Sequence, residues 1–74
     1  MHTGWMQHIP ITGGGIRLGQ FLKLADLVDQ GADVKLLLAD AAVQVNGEPE
    51  TRRGRQLVGG DVVTVRGSDY LVTG

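Results

Sequence analysis

Three arginines within four residues form the densest cluster of chemically active side chains in the sequence: Arg52, Arg53 and Arg55. A guanidinium group is planar, carries a permanent charge and donates several hydrogen bonds, so it matches the oxygens of a phosphate. The segment Thr51–Gly60 contains no Asp or Glu that would neutralise these charges. The cluster therefore predicts a surface that contacts nucleic acid.

The residues just before the arginines predict the structure that presents them. A short alternating run, Val43–Val45, leads directly into Asn46-Gly47. Both residues of this pair tolerate the positive φ of a two-residue turn, which makes the pair a strong hairpin signal. The chain then turns back through Glu48–Thr51, and Pro49 indicates that the returning segment is an edge strand. We therefore expect a basic hairpin.

Apolar residues repeat with a helical period in two segments ahead of this hairpin. The first segment predicts a helix from about Arg17 to Val28, with Gly31 as a left-handed C-cap. The second predicts a helix from about residue 32 to residue 41 or 42 and leaves Leu36 off its apolar stripe. Because the connection between them is short, the two helices should pack as a helical hairpin.

The remaining apolar runs alternate with a period of two and predict short strands. Val62–Val65 and Tyr70–Val72 read as strands, with turns at Gly59–Asp61 and Gly67–Asp69. Ile9–Ile11 reads as an edge strand, because it contains a proline. The predicted fold class is α+β, a helical hairpin followed by a small, mainly antiparallel sheet of three to five short strands.

Length and composition limit the class of protein. The 74 residues predict one domain, which we place at residues 9–74 behind a flexible tail at residues 1–8. His2, Trp5 and His8 fall in that tail, which favours a frayed end or an expression remnant over a metal or stacking site. The N-terminus does not look like a secretory signal, and no apolar run is long enough to cross a membrane. We expect a cytoplasmic protein.

The sequence also lacks the residue combinations that catalysis needs. It has no cysteine, no H-E-x-x-H spacing and no evident pair of carboxylates, because the acids are scattered along predicted helix surfaces and turns. Gly13–Gly15 is followed by Ile16-Arg17 instead of a Lys-Ser/Thr pair, which favours a flexible lead into the helix over a phosphate loop. We expect no enzymatic activity, no cofactor, no metal and no small-molecule substrate, and a monomer.

Residues from about Ile16 to Val72 resemble the RNA-binding domain named after small-subunit ribosomal protein S-four, also called the αL motif. The motifs that carry the resemblance are I-R-L-G-Q-F-L-K-L from Ile16, L-L-L-A-D-A-A from Leu36, V-Q-V-N-G from Val43, R-R-G-R-Q-L from Arg52 and G-D-V-V from Gly60. They follow one another in the family's order. The chain is most similar to the stand-alone, single-domain bacterial members of the YaaA/YbcJ-like kind.

The resemblance implies that the two helices and the hairpin form one face that grips structured RNA, such as ribosomal RNA, a ribosome precursor or tRNA. Two features depart from the family pattern. Gly19 stands where the wider family often has Asp, and the start of the second helix offers Asp33 and no arginine. Carried over by position, the residues of this face are Arg17, Lys23, Lys35, Gln44, Asn46, Arg52, Arg53 and Arg55.

Three points stay open at the level of sequence. Asn46 has a second interpretation, as the residue that makes the turn. The net charge of −1 leaves open a protein-interaction module with weak or no RNA binding. A β-grasp sulfur carrier shares V-N-G and G-D-V-V but ends in Gly-Gly, whereas this chain ends in the single Gly74.

For the double substitution Arg52→Ala with Arg53→Ala, we expect weaker RNA binding and a nearly unchanged melting temperature.

Overall fold

A computed structural model describes residues 6–74, so His2 and Trp5 lie outside the described residues. The elements are β1 Gln7–Pro10, β2 Ile16–Arg17, α1 Leu18–Leu24, α2 Gly31–Ala39, β3 Val43–Val45, β4 Glu48–Pro49, β5 Gln56–Leu57, β6 Val62–Val65 and β7 Ser68–Thr73. The main sheet has the strand order β1-β7-β6-β3-β4, with β1 parallel to β7 and every other pair antiparallel, and β2 and β5 form a separate two-stranded sheet. The predicted α+β class is confirmed.

The hydrophobic core lies between the two helices and one face of the main sheet. Phe21 and Leu22 of α1 are fully buried, as is Val34 of α2. In β3 the buried Val43 and Val45 alternate with the exposed Gln44, so Gln44 lies on the face of the sheet that the helices do not cover. The other buried core residues are Ile9, Leu18, Leu37, Leu38, Leu57, Val63, Val65 and Val72.

Helix α1 is shorter than the sequence predicted, because the backbone turns left-handed soon after it. The helix ends at Leu24, and Asp26 adopts a φ of 61°. The N–H of Leu27 then donates to the carbonyl oxygen of Leu22 at 2.9 Å. This six-to-one hydrogen bond is characteristic of a Schellman cap, in which glycine is the usual left-handed residue. The prediction that the helix continues to Val28 was wrong, because an aspartate takes the position of the glycine.

Helix α2 ends in the same way, and its start corrects a second prediction. Ala41 has a φ of 54°, and the N–H of Ala42 donates to the carbonyl oxygen of Leu37 at 3.4 Å. Gly31 is the first residue of this helix and not the C-cap of α1. The connection between the helices therefore covers residues 25–30, which is longer than predicted.

Both hairpin turns consist of two residues with positive φ angles. Asn46-Gly47 forms the predicted two-residue turn with φ angles of 53° and 86°, and Pro49 lies in β4 at the edge of the sheet, as predicted. The last turn was predicted at residues 67–69 but is formed by Arg66-Gly67, with φ angles of 50° and 85°. Ser68 and Asp69 belong to β7 because they pair with β6.

The N-terminal boundary of the folded part also differs from the prediction. Gln7 and His8 were assigned to a tail, but they belong to β1 and pair with Tyr70 and Leu71 of β7. The edge strand predicted at Ile9–Ile11 is confirmed as an element and begins two residues earlier. Pairing with the long C-terminal strand β7 extends it, which the short alternating run could not indicate.

Candidate nucleic-acid interface

The three predicted arginines lie in the connection between β4 and β5, residues 50–55, which we call the arginine loop. The sequence predicted that they lie on the return of a hairpin, which was wrong beyond Pro49. The chain leaves the main sheet there, because β5 pairs with β2 and not with β4. The N–H of Arg55 donates to the carbonyl oxygen of Arg52 at 3.2 Å and closes a turn around Arg53.

The backbone of the arginine loop caps the start of α1. The N–H of Leu18 donates to the carbonyl oxygen of Arg55 at 2.8 Å, and the N–H of Gly19 donates to that of Arg53 at 2.9 Å. The first N–H groups of a helix have no partner within the helix, so these bonds satisfy them. A Cβ on Gly19 would lie 3.4 Å from the same oxygen of Arg53, so α1 and the loop are in close contact at this position.

The buried carboxylate of Glu50 holds two of the three arginines. Its Oε2 accepts hydrogen bonds from the backbone N–H groups of Thr51 and Arg52 and from Nε of Arg52, all at 3.1 Å. Its Oε1 accepts from Nη2 of Arg52 at 3.3 Å and from Nη1 of Arg55 at 2.8 Å. The side chain of Glu50 is 7% exposed, whereas those of Arg52 and Arg55 are 73% and 34% exposed. The carboxylate therefore anchors the arginines from below the surface.

These contacts fix the charge state of Glu50. The hydrogen bonds from Arg52 and then the one from Arg55 lower the pKa of the Glu50 carboxyl from 4.5 to about 2, against the opposing effect of burial. The same pairing raises the pKa of Arg52. Sequence reasoning missed Glu50, since it counted this residue among the solvated acids. The available signal was an acid two positions before an arginine run. This spacing alone does not predict the ion pairs, because they form only when the loop turns and brings the arginines to the carboxylate.

Arg53 faces a shallow groove between the loop and α2. Within residues 6–74 its side chain makes no hydrogen bond or ion pair. The groove has a volume of about 360 Å³, and Lys35 and Thr51 lie along it together with Leu38 and Ala39 of α2. The structure thus brings the predicted Lys35 next to the arginine loop.

Of the two contacts predicted at α1, only Arg17 lies beside the arginine loop. Arg17 is the N-cap residue of α1, and its backbone N–H donates to Oε1 of Gln20 at 3.3 Å. Lys23 is exposed and borders a separate groove between α1 and the segment around Ile11, so the structure does not bring it to the arginine loop. Arg17 joins Lys35 and the three arginines in what we call the basic face, which holds five of the seven Lys and Arg residues of the chain: Arg17, Lys35, Arg52, Arg53 and Arg55.

Gln44 and Asn46 are not brought into the basic face. Gln44 lies on the sheet face that the helices leave uncovered. The amide of Asn46 is engaged within the fold, because its Nδ2 donates to Oδ1 of Asp61 at 3.1 Å and its Oδ1 accepts the N–H of Val62 at 2.9 Å. Both groups of this amide therefore serve the junction between the turn and β6.

A second groove lies at the C-terminal end of α1 and has the opposite charge. It has a volume of about 500 Å³ and lies between the helix connection and the β6–β7 turn, which carries Arg66. Leu36, which the sequence leaves off the apolar stripe of the second helix, borders this groove and is 65% exposed. We call it the acidic groove after its three carboxylates, Asp26, Asp29 and Asp33.

The described residues offer little for other chemistry. Across residues 6–74, no three His, Asp or Glu side chains are grouped so that they hold a metal ion. Neither helix in this part of the chain is long and apolar enough to cross a membrane. Of the aromatic residues described, Phe21 is fully buried and Tyr70 is half-buried.

Comparison with known proteins agrees with the geometry. A family model described as S4 domain matches residues 9–73. The "Probable ribosome maturation protein RlbA" of Bacillus subtilis (strain 168) is 54% identical over 52 residues, which are 70% of this chain and 73% of that protein. The crystal structure of the 30S ribosomal protein S4e from Thermoplasma acidophilum superposes with a TM-score of 0.61 and 20% identity, over 81% of this chain and 32% of that one. The last likeness bears on the fold alone.

Proposed function

Because this chain belongs to the S4 domain family, we propose that it is a non-catalytic RNA-binding module whose basic face recognises structured RNA through phosphate and shape contacts. The observation that carries the proposal is the segregation of charge. Five of the seven basic residues lie on or beside the arginine loop, although the net charge of the chain is −1. A local basic patch attracts phosphates even when the whole molecule is not basic.

The side chains favour the backbone of folded RNA over the bases of a single strand. Double-stranded RNA hides its base edges in a deep major groove, so proteins recognise its phosphates, 2′-hydroxyls and shape. Binding to single strands uses aromatic rings on which the bases stack. Of the two aromatic rings within residues 6–74, Phe21 is buried and Tyr70 lines the acidic groove. Arginines on a loop that is bonded to α1 form a fixed array, which suits a folded RNA of fixed shape.

We propose ribosomal RNA, in a ribosome precursor, as the class of RNA, and the cytoplasm as the place of binding. The support is the Bacillus relative, whose name describes a probable ribosome maturation protein. The chain spans 73% of that relative and is 54% identical to it over the shared part. Transfer RNA remains the competing target, since the basic face has no feature that separates the two classes of folded RNA.

The experiment combines capture in cells with binding in solution. Ultraviolet crosslinking of the tagged protein, followed by sequencing of the bound RNA, should recover ribosomal RNA or its precursors. Filter binding with end-labelled, deproteinised bacterial ribosomal RNA should then show an affinity that falls with salt. With about three to five phosphate contacts, each adds roughly 0.7–0.9 to the log–log slope.

A matched pair of variants locates the contact surface. Arg53→Ala removes an arginine of the basic face that has no side-chain partner within residues 6–74, and it should weaken binding about tenfold. Arg66→Ala removes the basic residue that lies instead beside the acidic groove, and it should leave affinity nearly unchanged. Equal losses in both variants contradict the assignment of the surface.

The acidic groove favours a second candidate function, a protein-interaction module. Leu36 is exposed beside three carboxylates there, which suits a basic partner with an apolar side chain. The same crosslinking experiment separates the two functions. Recovery of protein partners without enrichment of any RNA favours the second one.

A further inference from the structure

We propose that Glu50 is a positioning residue for RNA binding, whose buried carboxylate holds Arg52 and Arg55 in the orientation that phosphate oxygens require. An acidic residue would then strengthen a basic surface. The inference rests on the proposed RNA-binding function and deepens it. It starts from a contrast within one network, in which the Glu50 side chain is 7% exposed and the Arg52 side chain is 73% exposed.

The hydrogen-bonding pattern leaves donors of both arginines for a ligand. A guanidinium carries five N–H donors. Arg52 binds the carboxylate through Nε and Nη2, so both donors on its Nη1 stay unbonded within residues 6–74. Arg55 binds through Nη1, so its Nε and Nη2 stay unbonded within the same range. Each arginine is held along one edge and presents another edge to a phosphate.

The loop backbone is fixed by the same carboxylate. The N–H groups of Thr51 and Arg52 donate to Oε2 of Glu50, and the carbonyl oxygens of Arg53 and Arg55 cap α1. The two arginines are therefore held at both ends, by their backbone and by their guanidinium groups. A binding surface that is ordered before the ligand arrives loses less entropy when the ligand binds.

Magnitudes decide whether this ordering outweighs the repulsion from the negative charge. An acidic charge about 7 Å from a phosphate opposes binding by roughly threefold in water and by more at the lower effective dielectric constant of a protein surface, but two paired guanidinium charges and salt both offset this repulsion. Ordering one long side chain on binding costs about two- to tenfold in affinity, and two arginines are ordered in advance here. The gain from positioning therefore exceeds the loss from repulsion.

The test compares Glu50→Gln with Glu48→Gln in the full chain. Each substitution removes one negative charge, but Glu48 is exposed on β4 and has no ion pair within residues 6–74. The probe is end-labelled, deproteinised bacterial ribosomal RNA in filter binding at several salt concentrations. We expect Glu50→Gln to bind about tenfold more weakly with a smaller salt slope, and Glu48→Gln to bind equally or up to about twofold more tightly.

An effect of opposite sign on the RNA affinity of Glu50→Gln overturns the inference. If wild type binds and Glu50→Gln binds as tightly or more tightly, the carboxylate acts only as a repelling charge and has no positioning role. If wild type does not bind this RNA even at low salt, the proposed function fails and the inference fails with it. The two failures are therefore distinguished by the wild-type measurement.

A second variant and a second measurement cover the case in which Glu50→Gln does not fold. Circular dichroism identifies that case, and Glu50→Asp then carries the test, because it keeps the charge while its shorter side chain does not reach both arginines. We expect several-fold weaker binding for it, and wild-type affinity overturns the inference. In NMR spectra of the folded variants, the Nε–H of Arg52 should exchange faster with water than in wild type, while that of Arg53 should not change.

Discussion

The Asn46-Gly47 turn and the arginine loop are separated by only two residues of the chain, and in each a polar side chain accepts hydrogen bonds from the backbone. In the turn, the amide of Asn46 binds Asp61 and the N–H of Val62, so both of its polar groups are used inside the fold. In the arginine loop, Glu50 is buried, and the side chains that it binds are more exposed than it is. The hydrogen bonds of Asn46 therefore stay within the fold, whereas those of Glu50 connect it to guanidinium groups at the surface.

This difference separates residues that stabilise the fold from residues that are exposed and can contact a ligand. The resemblance to the S4 family implied one RNA-binding role for the whole stretch from β3 to the arginines. The geometry divides this stretch. Gln44 lies on the uncovered face of the sheet and the amide of Asn46 is bonded within the fold, whereas the side chain of Arg53 has no partner within residues 6–74. We therefore expect substitutions in the turn to change stability and substitutions in the loop to change RNA affinity.

The largest effect is expected from Arg52→Ala combined with Arg53→Ala. Loss of two charge-assisted phosphate contacts should weaken RNA binding about 100-fold and lower the salt slope by roughly 1.4–1.8. Filter binding at four salt concentrations measures both quantities.

The structure changes the accompanying expectation for stability. The sequence predicted a nearly unchanged melting temperature for this double variant. However, Arg52 pairs with the buried carboxylate of Glu50, and without Arg52 the only arginine that still pairs with this carboxylate is Arg55. We expect Arg52→Ala to lower the melting temperature by several degrees and Arg53→Ala to leave it unchanged. Equal melting temperatures for the two single variants would contradict the role of Glu50 in this loop.

The second effect concerns the pH dependence of stability. The pKa of Glu50 is lowered to about 2 in the folded chain from 4.5, so its contribution to stability is fully present above pH 4.5 and is lost as the pH falls through 2. We expect the free energy of unfolding to drop over this window, and to drop less steeply in Glu50→Gln. Urea unfolding at pH 7, 4 and 2.5 measures the difference, and parallel curves would argue against the pairing.

The sequence predicted those parts of the fold that depend on local chemistry. Periodicity identified both helices and the β3–β4 and β6–β7 pairs, and Asn46-Gly47 fixed its turn, because these signals act between near neighbours. The helix ends were missed, since Asp26 and Ala41 occupy left-handed positions where glycine is usual. The charge cluster identified Arg52, Arg53 and Arg55 as candidates.

Glu50 and the shape of the basic face depend on pairing between distant segments, which a single sequence does not reveal. β5 pairs with β2, and this pairing turns the arginines away from the sheet and onto the start of α1. Only after that turn does the carboxylate of Glu50 reach two guanidinium groups. Lys35 was likewise placed beside Arg53 by the packing of α2 and not by any local pattern.

The smallest effect on RNA affinity is expected for substitutions of Asn46, which separate its two interpretations as a turn residue and as an RNA contact. Asn46→Ala removes two hydrogen bonds and places alanine at a φ of 53°, which should cost about 2 kcal/mol of stability. RNA affinity should stay within about twofold of wild type, because the amide is already engaged. Asn46→Gly is the matched control, since it tolerates the φ and loses only the hydrogen bonds, so it should cost about half as much. A tenfold loss of affinity in a folded Asn46→Gly would instead place Asn46 on the RNA surface, as the family resemblance implies.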